Sequence, residues 1–242
     1  MKLWAGTSGF SYDGWKGVFY PEDLPSNGRL RFYAEQLPAV EINNTFYRMP
    51  RAERMERWAG EVPETFRFVI KSPRRITHSA KLGEVDESLG FFWKGIEPLG
   101  ERRGPVLFQC PPTFKKDVER LRSFLGKVPP EQRPVLEFRN DSWKDEEVHA
   151  LLRERNAALC TTDDQKGDDD GEAAEIVPTA DWGYLRLRGE TYGEDELRRW
   201  AERIAAQPWE EAWVFLKHED AGTAPGLARR LIELFEEVRG AG

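Results

Sequence analysis

Eight short apolar runs recur along this chain, roughly every 22 to 40 residues, and that recurrence narrows the folds open to it more than any other feature. The runs are Leu3–Thr7, Ala39–Asn43, Phe66–Lys71, Pro105–Cys110, Pro134–Arg139, Ala157–Thr161, Gly183–Arg188 and Ala212–Lys217. Each is of strand length and rich in Val, Ile, Leu and aromatic side chains. Between them apolar residues return at helical spacing: Met55 and Trp58 within Arg51–Ala59, Leu89, Phe92, Trp93 and Ile96 within Asp86–Leu99, and Leu197, Trp200 and Ile204 within Glu194–Ala206. Arg29–Gln36, Asp117–Leu125, Asp145–Arg155 and Pro225–Val238 read as further helices, and Asp117 and Asp145 are acidic cap candidates. Strand followed by helix, eight times, with no break in composition, predicts the α/β class and a single (β/α)8 TIM-type barrel over residues 1–242. An open doubly wound sheet alternates in the same way but usually stops short of eight strands.

Charge limits the function classes. The net charge of -7 provides no global basic field to draw the protein onto nucleic acid or an anionic membrane. Anion binding must therefore come from a local cluster. No run approaches the length of a membrane span, and MKLWAGTSGF has no apolar signal region, so the expectation is a cytoplasmic protein. Cys110 and Cys160 each end an apolar run and read as reduced core thiols.

The stretch PVLEFRNDSW, Pro134–Trp143, shows where chemistry would gather. It begins apolar on both faces and turns charged only at its C-terminal end, as expected of a buried parallel strand opening into a site. Side chains alternate along a strand, so Glu137 and Arg139 share one face while Leu136 and Phe138 share the other. The same parity pairs Glu41 with Asn43, and Arg186 with Arg188; the opposite faces hold Val40 and Ile42, and Leu185 and Leu187. The charged faces should then line the barrel interior. With Lys71, Gln109 and Lys217 at other strand ends, and Asp163 after the sixth strand set aside, five cations stand against the carboxylates Glu41 and Glu137. One reading is an internal salt-bridge network. The other is a cationic pocket whose surplus charge holds a phosphate or carboxylate. Glu41 and Glu137 are the acid/base candidates, or else counter-ions of neighbouring cations. Lys71 is either a reactive amine or an anion ligand.

A metal or cofactor has little support. HExxH, CxxC and Gly-rich nucleotide motifs are absent, and Gly9-x4-Gly14 is followed by Trp15 rather than Lys. His149 sits in a helical stretch. His78 follows the third strand and could reach the barrel mouth. His218, Glu219 and Asp220 end the eighth strand and are the one place for a hard metal. Asp163–Glu172 reads as an acidic loop. Aromatic residues crowd the loops after the strands: Phe10, Tyr12, Trp15, Phe46, Tyr47, Trp143 and Tyr192. They would either stack on a ligand or form small cores of their own.

Several of these segments together resemble a known family. Gly6-Thr7-Ser8-Gly9-Phe10, Trp15–Pro21, Glu41–Tyr47, Lys71-Ser72-Pro73 with Ile76-Thr77-His78, Leu107–Pro112, Glu137–Trp143 and Leu185–Gly189 are similar, in order, to the YecE-like family, a domain of unknown function. The resemblance implies a TIM-type barrel and brings no activity with it. The family pattern has His-Gly where Arg188-Gly189 stands here, and an Asn pair where Lys217-His218-Glu219 stands, so this chain's mouth is the more cationic.

These residues lead to an expectation of a metal-independent enzyme for a small anionic substrate. Arg139, Arg186, Arg188 and Lys217 would hold the anion, Glu137 and Glu41 would move protons, and Gln109 and Asn43 would orient the substrate, with Lys71, His78, Tyr47 and Trp143 beside it. Nucleic-acid processing and non-catalytic anion binding are the alternatives. The net charge and the lack of a basic stripe disfavour nucleic acid.

Overall fold

The computed structural model describes residues 1–163, 174–189, 191–217 and 221–240. Eight parallel strands close into a barrel in chain order. They are β1 (Lys2–Ser8), β2 (Ala39–Ile42), β3 (Arg67–Lys71), β4 (Arg103–Cys110), β5 (Pro134–Phe138), β6 (Ala158–Thr162), β7 (Trp182–Leu187) and β8 (Glu211–Leu216). Every one lies within two residues of its expected run. The helices are α1 (Arg29–Gln36), α2 (Ala52–Glu61), α3 (Asp86–Ile96), α4 (Val118–Lys127), α5 (Glu146–Glu154), α6 (Glu194–Ala205) and α7 (Ala224–Gly240). Among the described residues no helix lies between β6 and β7. The acidic stretch falls almost wholly in residues 164–173, outside the described residues.

The helices form where their sequences set an apolar stripe against polar faces. α2 buries Met55, Trp58 and Ala59, and α6 buries Leu197, Trp200, Ala201 and Ile204. Asp117 accepts from the Arg120 amide at 3.0 Å and Asp145 from the Glu147 amide at 2.9 Å, so both expected caps are in place.

The chain packs as two compact units, one of Met1–Glu41 with Thr161–Gly242 and one of Ile42–Cys160, so the division passes through β2 and β6. In the first unit β1 pairs with both β2 and β8, and β8 with β7. The register sets Trp4 beside Trp213 and Tyr184 beside Trp213, and the Trp4 and Trp213 rings stack 5.1 Å apart. Thr7, on the other face of β1, meets Tyr33 of α1. In the second unit Phe68 packs on Trp58 of α2, and Phe108 packs on Phe92 of α3 and Phe124 of α4. Those contacts identify the helix-facing parity of β3 and β4. The opposite parity, Lys71, Gln109 and Glu137, therefore points inward.

Candidate functional site

In the second unit three adjacent strands end in one chain of polar contacts. β4 and β5 pair with Gln109 directly opposite Glu137, and Lys71 ends β3 on the same face. Lys71 Nζ donates to Gln109 Oε1 at 2.9 Å, and Gln109 Nε2 donates to Glu137 Oε1 at 2.7 Å. The neighbours dictate that amide orientation: the reverse would set an NH2 against an ammonium and a carbonyl against a carboxylate. Arg139 Nε adds a third contact, to Glu137 Oε1 at 3.1 Å. Glu137 is 1% exposed whereas the Arg139 side chain is 38% exposed, so this ion pair spans from the interior to solvent.

Two loops complete the cluster. After β3 a single π-helical turn, Arg75–Ser79, buries Ile76 and Thr77 and leaves His78 half-buried, its Nδ1 2.9 Å from Thr77 Oγ1. Such turns are frequent at functional sites because the extra residue re-aims a side chain. Burial, then the charges of Lys71, Arg74 and Arg139, hold His78 below the ordinary histidine pKa, with Glu137 opposing. After β2 a turn at Asn44–Phe46 is tied down by the buried Thr45, whose Oγ1 bonds the carbonyls of Ile42 (3.1 Å) and Lys71 (2.7 Å). Phe46 then lies with its ring centroid 4.3 Å from Lys71 Nζ and edge-on to His78 at 4.8 Å. Tyr47 packs edge-on against Phe46 and is 76% exposed. Asn43, half-buried, is the residue just past β2.

In the first unit Glu41 is the centre. Fully buried, it accepts from Ser8 Oγ (2.8 Å), Tyr184 OH (2.6 Å) and Arg186 Nη2 (2.9 Å). Ser8 is its register partner on β1, whereas Tyr184 and Arg186 come from β7, beyond β1 and β8. A contact over that separation is made across the concave face of the sheet, so these side chains point inward. The arrangement is that of a neutralised buried carboxylate. Its charge also helps hold the nearby Tyr12 phenol above the usual tyrosine range, after burial, which acts more strongly. Tyr12 occupies the space that a side chain on Gly9 would need, and Gly9 sits at φ +102.

The other sequence candidates take varied places. Arg188 is half-buried just past β7, its amide bonded to Asp163, and Tyr192 donates its phenol proton to the same carboxylate. Lys217 is exposed just past β8, its amide bonded to the Leu187 carbonyl at 2.8 Å. Trp143 is 2% exposed, lies flat against Phe138 at 4.2 Å, and donates its indole N–H to the Phe114 carbonyl at 2.7 Å. Trp15 is wholly buried among Tyr12, Phe19 and Tyr20. Both tryptophans are therefore loop-core residues rather than open stacking platforms. His149 is on α5, its Nδ1 3.5 Å from Glu146. Cys110 and Cys160 are buried, and burial pushes the Cys110 thiol up, with Glu137 adding to it. The metal candidate His218, Glu219 and Asp220 lies outside the described residues, among which no group of three or more His, Cys, Asp and Glu could hold an ion.

Sequence reasoning missed Ser8, Thr45, Arg74 and Tyr184. Parity would have found Tyr184, two residues before Arg186, and Ser8, in line with Trp4. Thr45 and Arg74 lie in turns, where no period operates.

Residues 4–241 match the family described as "Protein of unknown function DUF72". The chain belongs to the DUF72 family. Two UPF0759 proteins, YunF of Bacillus subtilis and YecE of Escherichia coli, are each 34% identical to it, over 137 and 127 residues. Each alignment covers 51% of this chain and 47% of the relative, so the chain spans about half the length of the curated relatives it matches. A solved DUF72 protein of Thermotoga maritima superposes with a TM-score of 0.80 at 28% identity, covering 98% of this chain and 100% of that one. A DUF72 protein of Enterococcus faecalis gives 0.80 at 21% identity over 97% and 95%, a likeness of fold alone. These relatives bear out the YecE-like resemblance and the barrel, and their printed names carry no activity. No helix among the described residues is long and apolar enough to cross a membrane.

Proposed function

We propose that the ends of β3, β4 and β5 form a binding site for a small phosphorylated or carboxylated molecule, and that Glu137 acts there as the acid/base group of an enzyme that needs no metal. One observation carries the reading: the buried Glu137 carboxylate is contacted directly by Arg139 and through Gln109 by Lys71, with His78, held below the ordinary histidine pKa first by burial and then by the charges of Lys71, Arg74 and Arg139, beside them. An anion would relieve that like-charge crowding, with Arg139 presenting its guanidinium from the solvent side and Lys71 its ammonium from within. Gln109 would hold Lys71 and Glu137 in register and relay a change at one to the other. The Glu41–Arg186 pair is the more neutralised of the two carboxylate sites and has a supporting role in this reading.

Titration with inorganic phosphate, followed by calorimetry and by the His78 imidazole resonances, tests the site. Arg139→Met and Lys71→Met should each weaken phosphate binding by about tenfold, the order expected for one charge-assisted contact. Saturation unaltered by both substitutions, or no binding at millimolar phosphate, overturns the reading. The catalytic part is tested separately: Glu137→Gln should abolish turnover of any phosphate ester or carboxylate that the wild type converts in a metabolite panel. Undiminished turnover by that variant refutes the role given to Glu137.

A further inference from the structure

We infer that the ligand of this anion site carries a planar ring beside its anionic group, as a mononucleotide does, and that Tyr47 is the platform on which the ring stacks; the inference rests on the anion-site reading above. Tyr47 is 76% exposed, although it directly follows the turn whose Phe46 ring stands 4.3 Å from Lys71 Nζ. A ring left in water beside a charged cluster suits a ligand with one flat face and one charged end.

The platform is held in place. Thr45 ties its turn to the carbonyl of Lys71, the residue whose ammonium stands in the anion cluster. Phe46 braces Tyr47 edge-on at 5.1 Å and touches His78 edge-on at 4.8 Å. Laid end to end, those spacings put the Tyr47 ring no more than about 10 Å from the imidazole. A base joined to a phosphate through one sugar fits within that span. A bare sugar phosphate would reach the cations and leave Tyr47 uncovered. A strand of nucleic acid would need further rings and a basic track to follow. The chain's net charge of -7 favours the monomer.

The experiment compares inorganic phosphate, ribose 5-phosphate and AMP on the wild type, Tyr47→Ala and Tyr47→Trp. Wild type should bind AMP about tenfold more tightly than ribose 5-phosphate, the gain expected for one stacked base. Tyr47→Ala should remove that preference without weakening ribose 5-phosphate, and Tyr47→Trp should keep it. Tyr47 is exposed, so both variants should fold. If phosphate binds but AMP is no tighter than ribose 5-phosphate, or if the preference survives Tyr47→Ala, the ring platform is refuted while the anion site stands. If none of the three binds, the anion site itself fails and the platform with it. An oligonucleotide that binds more tightly than AMP, with an affinity falling steeply with salt, would replace the monomer by a strand and overturn the inference.

Discussion

Replacing Glu41 with alanine should unfold much of this protein's margin of stability. Glu41 is 0% exposed and its partner Arg186 has a side chain 3% exposed, so the substitution takes from a buried guanidinium the carboxylate that stands 2.9 Å away. Breaking such a pair from one side typically costs about 3–5 kcal/mol. Ser8 and Tyr184 lose an acceptor as well. Each orphaned hydroxyl can cost about 1–3 kcal/mol, less where it turns to another partner, so about 3 kcal/mol is the floor of the expected loss. In a chain of this size that lowers Tm by roughly 6–12 °C. The decisive comparison is the double variant Glu41→Leu/Arg186→Met, which removes both charges and keeps apolar volume. It should be more stable than Glu41→Ala, because it removes the buried guanidinium together with its carboxylate. Urea unfolding followed by tryptophan fluorescence measures all three proteins. A loss below about 1 kcal/mol for Glu41→Ala would show that water or another group reaches Arg186, and a double variant no better than the single would remove the counter-ion argument.

Three further outcomes follow from the same contacts. Because burial and three cations lower the His78 pKa, the unfolded chain takes up a proton below about pH 6.5 that the folded chain refuses; wild type should therefore lose stability relative to His78→Gln as pH falls through that range, with no relative change above about pH 7, and a difference flat throughout would contradict the lowered value. Trp143→Ala should cost about 3–5 kcal/mol in urea unfolding, and Trp143→Phe, which keeps the stack on Phe138 but loses the bond to the Phe114 carbonyl, roughly 1–2 kcal/mol; equal losses would mean that the bond carries nothing. The Cys110 thiol should resist a disulfide reagent at pH 8 in the folded protein and react once urea is added, whereas prompt labelling of Cys110 in the native state would refute its placement.

The class of fold and the identity of most charged groups at the strand ends are legible in the order of the amino acids. Apolar runs of strand length can be read locally because a strand buried on both faces has to be apolar on both, and the alternation within PVLEF assigned Glu137 to the inner face before any contact was visible. Asp117 and Asp145 were legible for the same reason, since a cap is a bond between near neighbours. Parity fails where the strand ends: Asn43, Arg139, Arg188 and Lys217 all stand one residue beyond their strands. Arg139 still returns to Glu137, while Lys217 is exposed to solvent. Only the tertiary structure decided which charges are paired. Glu41 finds Arg186 145 residues away, and Gln109 places its amide between Lys71 and Glu137. The same holds for the loop aromatics: Trp143 is covered by Phe138, whereas Tyr47, edge-on to Phe46, is 76% exposed. An aromatic residue in a loop has one composition whether its face is covered or open, and burial is settled by what the rest of the chain brings to it.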